Sequence, residues 1–94
     1  MIEAQSLLRT QKASQYLQQL CKHFGHKVKV DFDAQAGTIL FLQGKAVLKA
    51  TETCLKFEAQ AEDREGLERI KWILQDHIAR FAFRENPDRL EWSD

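Results

Sequence analysis

The chain has 94 residues, 44% of them apolar and 30% charged, and its 14 lysines and arginines balance its 14 aspartates and glutamates. A chain of this size buries roughly 60–70% of its unfolded surface, so one domain spanning residues 1–94 can build a core without a metal or disulfide staple. No apolar run approaches the roughly 20 residues of a membrane helix. The balanced charge also argues against a dedicated nucleic-acid binder, which carries a much stronger basic footprint.

The first 61 residues hold an excess of three positive charges and the remainder an excess of three negative ones, which is a mild asymmetry and not a basic tail. Met1 through Gln5 has neither a basic flank nor an apolar segment of the signal-peptide kind. Cys21 and Cys54 are far apart and lack CxxC spacing, which suits a reducing cytoplasm.

In chain order, residues 2–9 alternate weakly, with Ala4, Ser6 and Leu8 against Glu3, Gln5 and Leu7, and read as a short edge strand. A helix is predicted over 11–24. Ala13, Tyr16, Leu17, Leu20 and Phe24 make a narrow apolar stripe, while Lys12, Gln15, Gln18, Gln19 and Lys22 cover the other side. Thr10 is the expected N-cap. Gly25 is the expected stop in left-handed geometry, where an alanine would cost on the order of 1 kcal/mol. Lys22 and His23 suit the negative end of the helix dipole.

Residues 27–33 alternate cleanly, with Val28, Val30 and Phe32 inward and Lys29 and Asp31 outward. After a turn over 33–37, residues 38–42 are apolar on both faces, as in a central strand or one whose outer face is covered. Gln43-Gly44 makes a tight turn, 45–50 a further strand, and 51–53 another turn. Leu55, Phe57 and Ala59 then face inward between Lys56, Glu58 and Gln60. Strands this closely spaced form an antiparallel meander.

Asp63 is a good N-cap for a second helix predicted over 64–85, with Leu67, Ile70, Leu74, Ile78 and Phe81 as its stripe. Pro87 forbids its continuation. Leu90 and Trp92 fall on one side of an extended tail. The expected fold class is α+β in two layers: an antiparallel four- or five-stranded sheet with two helices on one face, in the order β-α-β-β-β-β-α. Its shape resembles one repeat of the TATA-binding-protein fold, which says nothing of function.

Two blocks carry a resemblance. One is Tyr16-Leu17 through Leu20-Cys21-Lys22-His23-Phe24 with His26-Lys27. The other is His77 through Arg80-Phe81-Ala82-Phe83-Arg84-Glu85 with Leu90 and Trp92. Together they resemble the bacterial family known as domain of unknown function 2218, from about Thr10 to Trp92. The resemblance implies a small single-domain cytoplasmic protein without an established activity. It also implies a link to iron handling, because relatives occur beside or fused to siderophore-interacting flavin reductases. The dihydroxyheptenedioate aldolase name carried by some relatives does not suit this chain, since that chemistry resembles a barrel enzyme of roughly 250 residues.

Three constellations are candidate sites. His77, Arg80 and Arg84 at i, i+3 and i+7 share one flank of the second helix and could grip a carboxylate or phosphate, with His23 or His26 joining if the helices lie side by side. Against this stands a salt-bridged surface with Asp76 and Glu85. His23, His26 and His77 could hold zinc or iron. Cys21 lies on the opposite flank of the stripe from His23 and could not easily share that ion. Here the plainer reading is a helix-capping His23 and a solvated His26. Trp72 and Phe83 lie opposite the core stripe, and they form either a contact surface for a homodimer or protein partner or a patch covered by Leu90 or Trp92. Leu40, Leu42 and Val47 pose the same question on the sheet.

There is no GxSxG, P-loop or GxGxxG motif. Cys54 is expected to be packed rather than reactive, and Asp31 and Asp33 have no evident catalytic partner. The chain is therefore expected to be a binding or interaction module rather than an enzyme, with a small anionic ligand. The alternative is a small metal-binding protein or enzyme using the histidines. Single-strand nucleic-acid binding on Lys29, Lys49 and Lys56 is the least favoured class.

Overall fold

The alternating segments become five strands: β1 (Ile2–Arg9), β2 (Lys29–Phe32), β3 (Ala36–Leu40), β4 (Gly44–Ala50) and β5 (Cys54–Ala61). The two 3.6-periodic segments become α1 (Ala13–Phe24) and α2 (Arg64–Phe81). The structure, a computed structural model, describes residues 1–82 and 90–93. The sheet is antiparallel throughout, in the order β1-β5-β4-β3-β2. The expected α+β architecture is the one observed, with both helix stripes on one sheet face.

Burial explains the layering. Ile39, Ala46, Leu48, Leu55, Phe57 and Ala59 line the inner face and are almost wholly removed from water. Leu17 and Leu20 of α1 and Leu67, Ile70, Leu74 and Ile78 of α2 meet them at 0% exposure. Each such side chain contributes roughly 1.5–3 kcal/mol relative to remaining in water. β1 is an edge strand, as expected, and its open side is partly covered. Gln5 exchanges backbone hydrogen bonds of 2.9 and 2.8 Å with Ser93, which turns Leu90 and Trp92 toward the core.

The start of α2 follows the sequence rule. Asp63 stands in extended geometry and its Oδ1 accepts the Gly66 N–H at 2.8 Å. The predicted last turn of this helix, with Phe83, Arg84, Glu85 and Pro87, lies outside the described residues. At α1 the cap position belongs to Lys12, not Thr10. The Thr10 hydroxyl instead accepts the Lys12 N–H at 3.0 Å, in a local turn that precedes the helix.

Gly25 differs from expectation in a telling way. Its φ of −61° and ψ of −17° are ordinary right-handed values, so no left-handed stop is present. The chain winds on through a Lys27 N–H to Phe24 carbonyl bond of 2.9 Å. A side chain at Gly25 is limited by space: its Cβ would lie 3.2 Å from both the Cys21 carbonyl oxygen and Val30 Cγ2. The strict glycine in the sheet is Gly44, where a Cβ would run into the Gln60 carbonyl of the neighbouring strand.

β3 begins two residues earlier than its apolar run. Asp33 Oδ1 accepts the N–H groups of Gln35 and Ala36 at 2.7 and 2.8 Å, closing the turn quickly. Those two bonds also hold the Asp33 carboxyl below its ordinary pKa. Leu42, expected in the strand, falls in the Phe41–Gly44 turn and is 97% exposed.

Candidate functional site

Helix packing brings His23, at the end of α1, against His77, in the last half of α2. Their ring centroids are 4.9 Å apart. Phe24 lies 4.7 Å from the His77 ring and Phe81 lies 5.7 Å from the His23 ring. Phe41 packs against Phe24 at 5.3 Å. The imidazole pair thus has an aromatic wall behind it and water in front, since His23 is exposed and His77 is half-buried.

The proton inventory of His77 follows from its neighbours. Its Nδ1 is 2.8 Å from the Ile73 carbonyl oxygen, which can only accept, so Nδ1 donates. Nε2 is then an acceptor in the neutral ring and a donor in the protonated one. Asp76 Oδ2 lies 4.0 Å from His77 Nδ1 and 3.2 Å from an Arg80 guanidinium nitrogen. Arg80 itself is largely in water, with 69% of its side chain exposed.

The pKa of His23 lies below its ordinary value. Desolvation is the leading cause, followed by the positive charges of His77, Lys27, His26 and Arg80. Four groups on two helices and the turn after α1 therefore present positive charge to one imidazole. Lys27 belongs to the block that carries the family resemblance but is not among the candidate site residues read from sequence, although its place four residues after His23 could have signalled it.

His26, by contrast, is exposed beyond the end of α1 and makes none of these ring contacts. The expected metal set of His23, His26 and His77 does not assemble: among the described residues no group of three His, Cys, Asp or Glu converges as an ion would require. The reason is local. The chain keeps right-handed geometry at Gly25 and does not fold His26 back over the helix end. Cys21 is also unsuited to a metal, being wholly buried, with its thiol pushed up to about 11 by that burial. Arg84 lies outside the described residues.

Trp72 stands 63% exposed, and among the described residues the tail segment 90–93 does not cover it. Trp92 packs 6.3 Å from Phe57 instead, with Lys71 Nζ 6.0 Å from its ring. Leu90 is buried and donates its N–H to Gln75 Oε1. Leu40 is 44% exposed on the outer sheet face, which no described element covers. Phe83 lies outside the described residues.

The family described as an uncharacterized protein conserved in bacteria, DUF2218, matches residues 5–93. The chain belongs to that family. The match spans both helices and hence both halves of the imidazole site. Among solved structures, the chain is similar to the NMR structure of PA4090 from Pseudomonas aeruginosa, with 29% identity and a TM-score of 0.84 over 99% of this chain and 96% of that one. No curated protein matches. Among the described residues no helix is long and apolar enough to cross a membrane.

Proposed function

We propose that this DUF2218 member binds a small polyanion, carboxylate or phosphate, at the corner where α1 meets α2. The observation that carries the reading is the contact of the His23 and His77 rings across the helix pair, with Arg80 and Lys27 adding charge beside them. Positive charge on His77 opposes protonation of His23. An anion between them removes that penalty, and Arg80 supplies donors suited to a carboxylate. Asp76 tempers the site without neutralising it.

The iron link rests on the family resemblance, and polycarboxylate iron chelates are the ligand class that would join it to this corner. The two free cysteines fit a reducing cytoplasm as the working compartment. The test is an NMR titration of the His23 and His77 ring protons with inorganic phosphate, citrate and ferric citrate. Citrate should raise the His23 pKa, and Arg80→Ala should weaken binding about tenfold, the loss of one charge-assisted contact. A His23 pKa indifferent to all three anions would remove the proposal. Ferric citrate binding no better than citrate would keep the anion site and remove the iron link.

A further inference from the structure

On β1 and β5 the outer face of the sheet carries charges that are complementary to one another about a single row, while Lys45 and Lys29, level with Glu3 in the register, and Glu91, at the hollow beside Leu7, stand outside that pattern. The strand registers align Ser6, Phe57 and Leu48 in one row across β1, β5 and β4. One residue to either side of that row on β5 stand Lys56 and Glu58. Three residues to either side on β1 stand Arg9 and Glu3. Leu7 pairs with Lys56 and Gln5 with Glu58, so both oppositions lie along the same direction of the sheet.

Ser6 and Phe57 of that row also line a shallow hollow of about 500 Å³, together with Leu7, Val47, Lys49, Lys56 and Glu58 of the strands and Glu91 and Ser93 of the tail. Leu7 is 48% exposed there. Lys49 sits directly opposite Lys56 in the register, an unfavourable cross-strand pair in a lone sheet. Among the described residues Glu3, Arg9, Lys49 and Lys56 enter no ion pair.

We infer that this face binds a second copy of the chain, about a two-fold axis lying along the Ser6–Phe57–Leu48 row. Such an axis keeps each strand over its own counterpart and reverses its direction. Lys56 then faces the second copy's Glu58, and Glu3 faces the second copy's Arg9, each contact made twice because the interface is isologous. The incoming Glu58 also lands beside Lys49 and offsets the lysine pair. At the roughly 10 Å spacing of facing sheets, extended lysine and glutamate side chains span the gap. Leu7 and Val47 of both copies leave water together.

Strands about 4.8 Å apart, running from about 13 Å long at the four-residue β2 to about 26 Å at the eight-residue β1 and β5, offer about 500 Å² per copy. That is below the roughly 800 Å² per partner of a standard interface. The dimer is accordingly weak and sensitive to salt. It uses the face opposite the helices, so it is independent of the imidazole corner.

Sedimentation equilibrium up to about 1 mM protein, the limit set by a weak association, at low and high salt tests this. The wild type should dimerise, more tightly at low salt. Lys56→Glu and Glu58→Lys should each weaken the dimer at least about tenfold, since each sets like charges against one another. The double variant K56E/E58K restores the opposition and should regain the wild-type constant. Circular dichroism checks that every variant is folded, and His23→Ala should leave association unchanged. A wild type that stays monomeric, single reversals without effect, or a double variant no better than the singles would each overturn the inference.

Discussion

The two faces of the sheet are built from the same strands and obey different rules. On β5, Leu55, Phe57 and Ala59 are buried while Lys56 between them is exposed. On β4, Ala46 and Leu48 are buried while Lys49 is exposed. The inner face is specified by shape, because each side chain there must fill a space bounded by α1 and α2. The outer face is specified by charge order, which costs the isolated fold little and acquires meaning only against another surface. The difference places the stability of the fold on the inner face and leaves the outer face as the one on which the proposed association would be read.

The strongest way to break this contrast is a pair of neighbours. Leu48→Ala should destabilise the protein by about 2–5 kcal/mol through the lost burial and the cavity left behind. Lys49→Ala, one residue on and facing water, should stay within about 0.5 kcal/mol. Urea unfolding of both variants measures the difference, and comparable losses would show that the outer face also bears load.

A smaller effect sharpens the account of the inner face. A Cβ at Gly37 would lie 2.8 Å from Cys21 Sγ and 3.1 Å from Phe32 Cβ. Gly37→Ala should therefore cost about 1–3 kcal/mol by overpacking. Adding Cys21→Ala removes the sulfur and should recover part of the loss. If the two losses simply add, the thiol is not the obstacle.

The smallest effect concerns the imidazole corner, and its direction is fixed by linkage. His23 has a folded pKa below its ordinary value of 6.5, so the unfolded chain binds more protons in that range. Its contribution to stability is complete above 6.5 and is lost as pH falls through the folded value. Thermal unfolding followed from pH 8 to pH 5 should show a shallower decline for His23→Gln than for the wild type. Saturating citrate should flatten the wild-type curve in the same way, if the anion binds the protonated pair.

Much of this architecture is legible in the sequence. The alternation in 29–32 and 54–61 and the stripe from Leu67 to Ile78 are local signals, and a sheet with one wet face needs nothing more to declare itself. The cap at Asp63 was equally plain. Thr10, Gly25 and the start of β3 were misread by a residue or two, or by mechanism. Gly25 depends on which neighbour occupies the adjoining space, here Val30, whereas Thr10 and the start of β3 turn on local hydrogen bonds to the Thr10 hydroxyl and the Asp33 carboxylate, which compete with the helix cap and set where the strand begins. At the candidate site, the His77–Arg80 flank could be read from helical spacing. The meeting of His23 with His77 could not, because no periodicity relates residues on two different helices.

The order of residues by itself therefore determined the class of every element and the face each presents to the core, since both follow from periodicities a few residues long. Which histidine joins His77, why Gly25 has no side chain, and that residues 90–93 close the β1 edge rather than sheltering Trp72 were decided only in three dimensions. The physical reason is common to all three: each depends on steric contact and shared charge between segments distant in the chain, and such contacts exist only once the layers have closed on one another.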